Sequence, residues 1–197
     1  MVKRFFDIVV SLCALFVLAP VMLAVAVAVK TDSSGPVFFR QIRVGLGGRD
    51  FEIMKFRSMS HDPVASQGVF DAGNSSRVTA VGQVIRKTKL DELPQFVNVL
   101  KGDMSIVGPR PEVRKWVEAY PERWSKVHCV RPGITDPAAI EFKDEEALLA
   151  GYDDPVEAYR TVILPRKLDL YEMYIDKRSL FSDVGVMLKT FTKIVRG

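Results

Sequence analysis

The chain has 197 residues, with 28 Lys plus Arg, 24 Asp plus Glu and a formal net charge of +4, which is enough for one domain or one domain with an appendage. Two cysteines and two histidines exclude a disulfide framework and an evident zinc site, and they predict that the folded part lies in a reducing compartment. The small cationic excess suits a phosphate-rich ligand or an anionic membrane surface, if the cations cluster.

The first feature along the chain is an apolar run at residues 8–29, IVVSLCALFVLAPVMLAVAVAV, which contains no charged residue. A run of about 20 residues is the length that a membrane-spanning helix needs. Three interpretations compete: a cleaved signal peptide, a straight membrane span, and a re-entrant helix that returns to the side from which it entered. The apolar part of a signal peptide measures roughly 7–15 residues, so the length of this run argues against cleavage.

Charge and a proline bear on the other two interpretations. Lys3 and Arg4 precede the run, and Lys30 and Arg40 follow it, so the positive-inside rule favours a cytoplasmic location for both ends. Pro20 removes one backbone donor within the run, which makes a bend easy to encode. A re-entrant helix satisfies both observations, but a straight span with a proline kink agrees with the residues equally well, and both interpretations stay open at this point.

Residues 31–59 contain two β-rich runs on either side of a glycine cluster at 45–48, which predicts a β-hairpin. A phosphate-binding glycine loop is disfavoured, because no Lys-Ser/Thr pair and no helix follow the glycines. Lys55 and Arg57 lie two positions apart on the second predicted strand and therefore share a face. They are candidates to bind phosphate, or they form an ordinary solvated face.

Residues 61–78 are rich in Gly, Ser, Asp and Asn and predict a loop. The next segment, TAVGQVIRKTKLDELPQFVNVLKGD, combines apolar positions at helical spacing with a Thr88-x-x-Asp91 capping signature, and Gly102 supplies a helix stop. This pattern predicts that the adjacent acids Asp91 and Glu92 lie near the N-terminus of a helix.

The C-terminal half begins with two proline-arginine motifs, GPRPE and RPG, in which the neighbouring proline restricts the backbone at Arg110 and Arg131. From residue 154 onward the pattern is helical. The last helix carries an apolar stripe, with Lys189 and Lys193 beside it, made of Leu180, Val184, Met187, Leu188, Phe191, Ile194 and Val195. Most such stripes pack on their own core, and binding to a membrane surface is the alternative.

The two adjacent acids restrict the chemistry of a site. Glycoside hydrolysis needs two carboxyl groups at least about 5 Å apart that face each other, whereas neighbours on a helix point about 100° apart. Adjacent residues suit a different division of roles, in which one carboxylate attacks and the other binds a hard cation such as Mg²⁺. Nearby cations would neutralise phosphate oxygens during transfer. The alternative is that both acids merely complement the helix dipole, but the chain holds more candidate cations than a helix cap needs: Lys55, Arg57, Arg86 and Arg110.

Several motifs in fixed order carry a resemblance to a known family: KRFFDIVVS, GPVFFRQIRVG, FEIMKFRSM, LDELPQFVNVLKGDMSIVGPRPE and VRPGITDP. In these motifs the chain resembles the bacterial sugar transferases known as small monotopic phosphoglycosyl transferases. The resemblance extends from the N-terminus to about residue 137 and continues weakly through the helical tail.

This resemblance implies a fold and an activity. The fold would be α/β but mainly α, with a re-entrant membrane-anchoring helix at residues 1–30 and a compact cytoplasmic catalytic domain at 31–197 that has a small β-hairpin and amphipathic interfacial helices. The enzyme would transfer a sugar 1-phosphate from a UDP-sugar to polyprenyl (undecaprenyl) phosphate at the cytoplasmic face of the bacterial inner membrane and release UMP. Mg²⁺ is the implied cofactor and membrane lipids are implied partners, whereas nucleic acid is not.

The resemblance also implies roles for particular residues. Asp91 would attack the sugar-bearing phosphate and become a covalent phosphosugar carrier in a ping-pong reaction, and Glu92, together with Asp91, would bind the metal. Pro20 would mark the bend of the re-entrant helix. The residues expected to bind substrate phosphates are Lys55, Arg57, Arg86, Arg110 and Arg131.

Two departures from the family pattern stand out. Ala19 precedes the membrane proline where serine is common in the family, so sequence secures the bend less firmly. The segment PGITDPAAIEFKDEE replaces the commoner PGITG with a following AQ pair, so the sugar pocket of better-known relatives does not carry over.

Two other classes of function remain as alternatives: a membrane-anchored scaffold without turnover, and a secreted protein whose mature chain begins near Val29. The residues do not identify the sugar, the glycan pathway, the polyprenol length or the oligomeric state. A homo-oligomer therefore stays open.

Overall fold

The computed structural model describes residues 2–60, 77–142 and 145–195, which form a mainly helical fold with two small two-stranded sheets. The elements in chain order are α1 (Val2–Asp32), β1 (Phe38–Val44), β2 (Asp50–Phe56), α2 (Ala80–Lys87), α3 (Gln95–Lys101), β3 (Ser105–Val107), α4 (Arg114–Ala119), α5 (Pro121–Val127), β4 (Gly133–Thr135), α6 (Pro137–Glu141), α7 (Glu145–Leu149), α8 (Pro155–Ala158), α9 (Leu164–Lys177) and α10 (Leu180–Val195). The sheets pair β1 with β2 and β3 with β4. The prediction of a mainly helical chain with a small hairpin is confirmed.

The described residues divide into two compact units. The first comprises residues 2–42, 52–60 and 77–106, and the second comprises residues 43–51, 107–142 and 145–195. The predicted loop at 61–78 lies, apart from its last two residues, outside the described part of the chain.

Helix α1 runs without interruption through Pro20 for 31 residues. Among the described residues it is the one helix that is long and apolar enough to cross a membrane, and an 18-residue window within it has a mean hydropathy of 2.8. Its middle is exposed, with Phe16 at 85% and Val17 at 69%, whereas Asp7 and Val29 near its ends are buried. The bend at Pro20 and the division at residue 30 stay predictions.

The N-terminal end of α1 is held by polar contacts within the first unit. Arg4 donates to the carbonyl oxygens of Val99 (2.6 Å) and Leu100 (3.1 Å) at the end of α3. Asp7, 2% exposed, accepts from the backbone N–H of Ile106 (3.2 Å) and from the hydroxyl of Ser105 (2.9 Å). The Arg4 contacts thus bind carbonyl groups in the last turn of α3, where a helix leaves carbonyls without an intrahelical partner.

The C-terminal end of α1 is held by Arg57 and Asp32 in the same unit. The Arg57 guanidinium donates to the carbonyl oxygens of Val29 (3.0 Å) and Ser33 (2.7 Å), and Asp32 accepts from the backbone N–H of Val81 in α2 (3.1 Å). Strand β2 ends at residue 56, so Arg57 is the first residue after the strand. That its side chain shares a face with the residue two positions earlier stays a prediction.

The hairpin itself is confirmed, and its turn depends on glycine. Gly47 and Gly48 have φ values of 66° and 73°, in the left-handed region that glycine adopts without steric cost. No phosphate-binding helix follows this turn, because the chain continues directly into β2.

The capping prediction for residues 79–103 is wrong. Thr88 ends α2, with its hydroxyl donating back to the Val84 carbonyl (2.8 Å), and it is Thr79 that accepts from the first turn of that helix. Lys89 then takes a left-handed conformation with φ 58°, which stops one continuous helix from forming. The predicted stop at Gly102 is confirmed, since it caps α3 at φ 98°.

The second unit has a core of large aromatic and aliphatic side chains, among them Trp116, Trp124, Tyr159, Leu164, Leu168 and Tyr171. Helix α10 leaves much of its apolar stripe outside this core. Val184, Leu188 and Phe191 of the stripe are exposed, as is the adjacent Phe181 at 92%, whereas Leu180 and Met187 are half-buried. Self-packing therefore does not account for the stripe, and the alternative of a membrane surface stays open.

Candidate active site

The acidic pair lies in a short 3₁₀ turn, Leu90–Glu92, of the first unit. Asp91 and Glu92 are 8% and 9% exposed, so both carboxylates are largely removed from solvent. The left-handed residue Lys89 begins the turn, and α3 follows it at residue 95. Burial of two adjacent carboxylates is costly unless cations or hydrogen bonds compensate. Such burial is unusual for acids that merely complement a helix dipole, because those acids are normally exposed to solvent.

A cation on β2 supplies that compensation for one of the two acids. The Lys55 ammonium lies 2.7 Å from a Glu92 carboxylate oxygen, and the Lys55 side chain is only 20% exposed. Asn98 fixes the register between β2 and α3, because it accepts from the Met54 N–H (3.0 Å) and donates to the Glu52 carbonyl (2.7 Å). Sequence reasoning missed Asn98, although a polar residue among the apolar positions of a short helix was a usable signal.

The other predicted cations of the first unit lie in different surroundings. Arg86 is half-buried in the last turn of α2, shortly before the acidic turn. Arg57 is 5% exposed, and both of its terminal nitrogens bind carbonyl groups at and beyond the end of α1. The structure thus joins Lys55 to the acidic pair and gives Arg57 a contact that the sequence did not predict, while phosphate binding by either stays a prediction.

In the second unit the two proline-arginine motifs lie against each other. The Gly133 N–H donates to the Pro109 carbonyl at 2.9 Å, and a Cβ placed on Gly108 would come within 2.4 Å of the Arg131 carbonyl. A side chain at either Gly108 or Gly133 would clash with the opposite backbone, so glycine is needed at both positions. The two predicted phosphate-binding residues Arg110 and Arg131, both half-buried, are therefore on adjoining segments.

Sequence reasoning assigned no role to Glu112, which ends the GPRPE motif and is 5% exposed. Its carboxylate accepts from the Tyr159 hydroxyl (2.5 Å) and lies 3.4 Å from the Lys167 ammonium and 3.3 Å from the Arg43 guanidinium. Burial alone raises the pKa of this carboxyl, but the charges of Lys167 and Arg43 and the Tyr159 hydrogen bond bring the pKa below its ordinary value. Glu112 is therefore ionised at neutral pH.

Asp136, in the segment that departs from the family pattern, is 1% exposed. One of its carboxylate oxygens accepts from the Ala139 N–H (2.8 Å) and caps α6. Burial raises the pKa of Asp136, and the charges of Arg110 and Lys167 partly oppose this rise. The Arg110 charge thus acts on the carboxylates of both Asp136 and Glu112.

The acidic pair is also the candidate ligand set for a cation. Within the residues that the structure describes, no three His, Cys, Asp or Glu side chains cluster into a metal site. Mg²⁺ commonly uses only one or two protein carboxylates and completes its shell with water and substrate phosphates. The donor chemistry of Asp91 and Glu92 fits that pattern for a diphosphate-containing substrate.

Comparisons with known proteins identify the family to which the chain is similar. A family model described as "Bacterial sugar transferase" matches residues 1–197. The UDP-N-acetylgalactosamine-undecaprenyl-phosphate N-acetylgalactosaminephosphotransferase of Aeromonas hydrophila is 43% identical over 100% of this chain and 44% of its own length. A UDP-glucose:undecaprenyl-phosphate glucose-1-phosphate transferase of Klebsiella pneumoniae is 38% identical over 97% of this chain and 39% of its own.

The matched proteins differ in length. The chain spans less than half of the two relatives just described. The exopolysaccharide production protein PSS of Rhizobium leguminosarum bv. phaseoli is 38% identical over 99% of this chain and 96% of its own length. The matched part is therefore a portion of some relatives and nearly the whole of another.

Proposed function

Because the chain belongs to the bacterial sugar transferase family, we propose that it transfers a sugar 1-phosphate from a UDP-sugar to undecaprenyl phosphate and releases UMP. The names of the relatives support both substrate classes. The observation that carries the proposal is the buried turn that presents Asp91 and Glu92 together, with Lys55 at 2.7 Å from Glu92. The product, an undecaprenyl diphosphate sugar, would serve as the first membrane-bound intermediate of a surface glycan.

The proposed reaction has two half-reactions through Asp91. An Asp91 carboxylate oxygen bonds to the phosphorus that bears the sugar, the bond from that phosphorus to the bridging oxygen breaks, and UMP leaves with the electron pair. A phosphate oxygen of undecaprenyl phosphate then attacks the same phosphorus, and the Asp91 carboxylate leaves with its electron pair. Each half-reaction exchanges one P–O bond for another, so no oxidant or reductant is needed.

The other residues of the proposal bind and orient. Glu92, with Asp91, would hold Mg²⁺, which when bound neutralises negative charge on the diphosphate. Lys55, whose ammonium lies 2.7 Å from a Glu92 carboxylate oxygen, would hold that carboxylate in place. Phosphate binding by Arg86, Arg110 and Arg131, and by Arg57 despite its contacts with α1, remains part of this proposal.

Assaying UMP release tests the function. Purified protein in detergent or nanodiscs should release UMP from at least one member of a panel of UDP-sugars when Mg²⁺ and undecaprenyl phosphate are present. Chelation of Mg²⁺ by EDTA should stop release, and added Mg²⁺ should restore it. A protein that binds UDP-sugars but releases no UMP from any of them would support the scaffold alternative instead.

The proposal includes a membrane arrangement in which α1 is re-entrant from the cytoplasmic face of the inner membrane. Two observations support it: Arg4 and Asp7 at one end and Val29 at the other are bound within the same compact unit, while the apolar middle is exposed. A straight span would place these polar ends on opposite sides of a hydrocarbon layer about 30 Å thick. The exposed stripe of α10, beside Lys189, would lie in the interface of the cytoplasmic leaflet.

The two native cysteines, both exposed, offer a test of this topology. In inverted vesicles, whose cytoplasmic face points outward, a membrane-impermeant maleimide should label Cys129 at once. It should label Cys13, in the middle of α1, only after detergent is added. A cysteine introduced at Val2 should react like Cys129, and one introduced at Leu188 should gain reactivity in detergent.

Right-side-out vesicles supply the control, because neither Cys129 nor the cysteine at position 2 should react in them. Labelling of position 2 from the outer face would contradict the re-entrant helix and favour the straight span. Recovery of a chain that begins near Val29, measured by intact mass, would support cleavage of the apolar segment.

A further inference from the structure

The segment that carries Arg110 is fixed on both sides by the second unit. On its N-terminal side, the backbone of β4 binds it through the Gly133 N–H and the Pro109 carbonyl (2.9 Å). On its C-terminal side, the Val44 N–H donates to the Glu112 carbonyl (2.9 Å). The flanking prolines restrict the backbone further, so the position of Arg110 depends on how firmly these two sides are held.

The Glu112 side chain supplies most of the contacts on the C-terminal side. The Arg43 guanidinium bridges the segment, with one nitrogen 3.3 Å from both the Glu112 carboxylate and the Pro111 carbonyl. The other carboxylate oxygen of Glu112 accepts from the Tyr159 hydroxyl at 2.5 Å. Glu112 is thus bound to three different parts of the chain: the hairpin, the π-helical turn Tyr159–Ile163 and α9.

The contact with α9 is a buried ion pair. Lys167 is 3% exposed and lies 3.4 Å from a Glu112 oxygen and 3.1 Å from a Glu145 oxygen. Buried ion pairs of this kind rarely add net stability compared with apolar side chains of the same volume. Losing one partner is costly, because it leaves a charge buried without compensation, so the pair restrains the segments that carry its two members.

We infer that Glu112 is a positioning residue, which fixes the GPRPE segment so that the Arg110 guanidinium is held ready to bind a substrate phosphate. The inference rests on the proposed function, since it takes a phosphate of the UDP-sugar as the ligand of Arg110. A guanidinium binds phosphate through two parallel hydrogen bonds in a fixed plane. Small displacements of its backbone therefore reduce binding more than they would for a flexible ammonium group.

The first test compares Glu112→Gln with Glu145→Gln, which removes the other carboxylate from Lys167 but touches no part of the GPRPE segment. Glu112→Gln should lower kcat/KM for the UDP-sugar about 10- to 100-fold, as misplacement of a binding group does. Glu145→Gln should stay within about threefold of the parent, by the usual size of effects away from the site. Thermal unfolding of both variants shows whether they are folded.

A double-mutant cycle with Arg110→Lys tests whether Glu112 acts through Arg110. If it does, adding Glu112→Gln to Arg110→Lys should cost no more than about threefold, because coupled residues are not additive. Additive losses, or equal losses in the two glutamine variants, would overturn the inference. If Glu112→Gln does not fold, Tyr159→Phe should lower kcat/KM in the same direction, because it removes the hydroxyl that donates to Glu112 and accepts from Lys167.

Binding of UDP with Mg²⁺, measured by titration calorimetry, separates this inference from the proposed function. If the parent turns over a UDP-sugar and Glu112→Gln does so equally well, the inference fails and the function stands. If the parent releases no UMP but binds UDP, and Glu112→Gln alone weakens that binding, the function fails and the positioning role stands. Equal UDP affinity in the parent and Glu112→Gln would overturn the positioning role in that case as well.

Discussion

Asp91→Asn should abolish both UMP release and covalent labelling of the protein by a UDP-sugar. An amide is a poor nucleophile and carries no charge, so the first half-reaction has no attacking group. Loss of a nucleophile lowers the rate by roughly 10⁴-fold or more in other enzymes that use covalent catalysis. The change is nearly isosteric and replaces the carboxylate of a residue that is only 8% exposed by a neutral amide, so the variant should remain folded.

Glu92→Gln should behave differently, although Glu92 is the neighbouring residue with the same chemistry. Its charge is bound by Lys55 at 2.7 Å, and its proposed role is to bind Mg²⁺. The variant should need more Mg²⁺ and should slow both half-reactions. At high Mg²⁺ it should still form the phosphosugar adduct, because Asp91 is unchanged.

Intact mass spectrometry of a quenched reaction distinguishes the two acids. Without undecaprenyl phosphate, the parent should gain the mass of one sugar phosphate, and peptide mapping should place the adduct on Asp91. Initial rates with both substrates varied should give parallel double-reciprocal lines, as ping-pong kinetics require. Intersecting lines without an adduct would mean direct displacement, with Asp91 acting as a base or a metal ligand.

The sequence predicted features that depend on local pattern and chemistry. The glycine turn, the two strands and the helix stop at Gly102 each require particular residues at fixed spacing. The capping prediction failed because Thr79 and Thr88 both fit a capping pattern. The left-handed backbone at Lys89, which separates the two helices, has no reliable sequence signal for a non-glycine residue.

The roles of individual cations could not be predicted from the sequence, because they depend on contacts between distant residues. Lys55 and Arg57 are equivalent by spacing, yet one binds Glu92 and the other binds the end of α1. Glu112 meets Tyr159 and Lys167 at separations of 47 and 55 residues. Only the tertiary structure brings these groups together.

Arg57→Met should destabilise the protein, because Arg57 binds carbonyl groups at and beyond the end of α1. The variant removes hydrogen bonds to the Val29 and Ser33 carbonyl groups and leaves buried acceptors near the end of α1. Hydrogen bonds that involve a charged group contribute about 1.5–3 kcal/mol each, so a loss of roughly 3 kcal/mol is expected. Thermal unfolding in detergent should show it as a clear fall in Tm.

Arg40→Met is the matched control, since Arg40 forms an exposed ion pair with Glu52 at 3.3 Å. Exposed pairs contribute about 0–1 kcal/mol, so its Tm should stay close to that of the parent. In the folded fraction of Arg57→Met, measured below its Tm, KM for the UDP-sugar should rise if Arg57 also binds substrate phosphate, and should match that of the parent if its role is structural alone. A variant with unchanged Tm and a KM raised more than about tenfold, equivalent to 1.4 kcal/mol of lost binding, would instead show that Arg57 binds substrate phosphate, and that its contacts with α1 contribute little to stability.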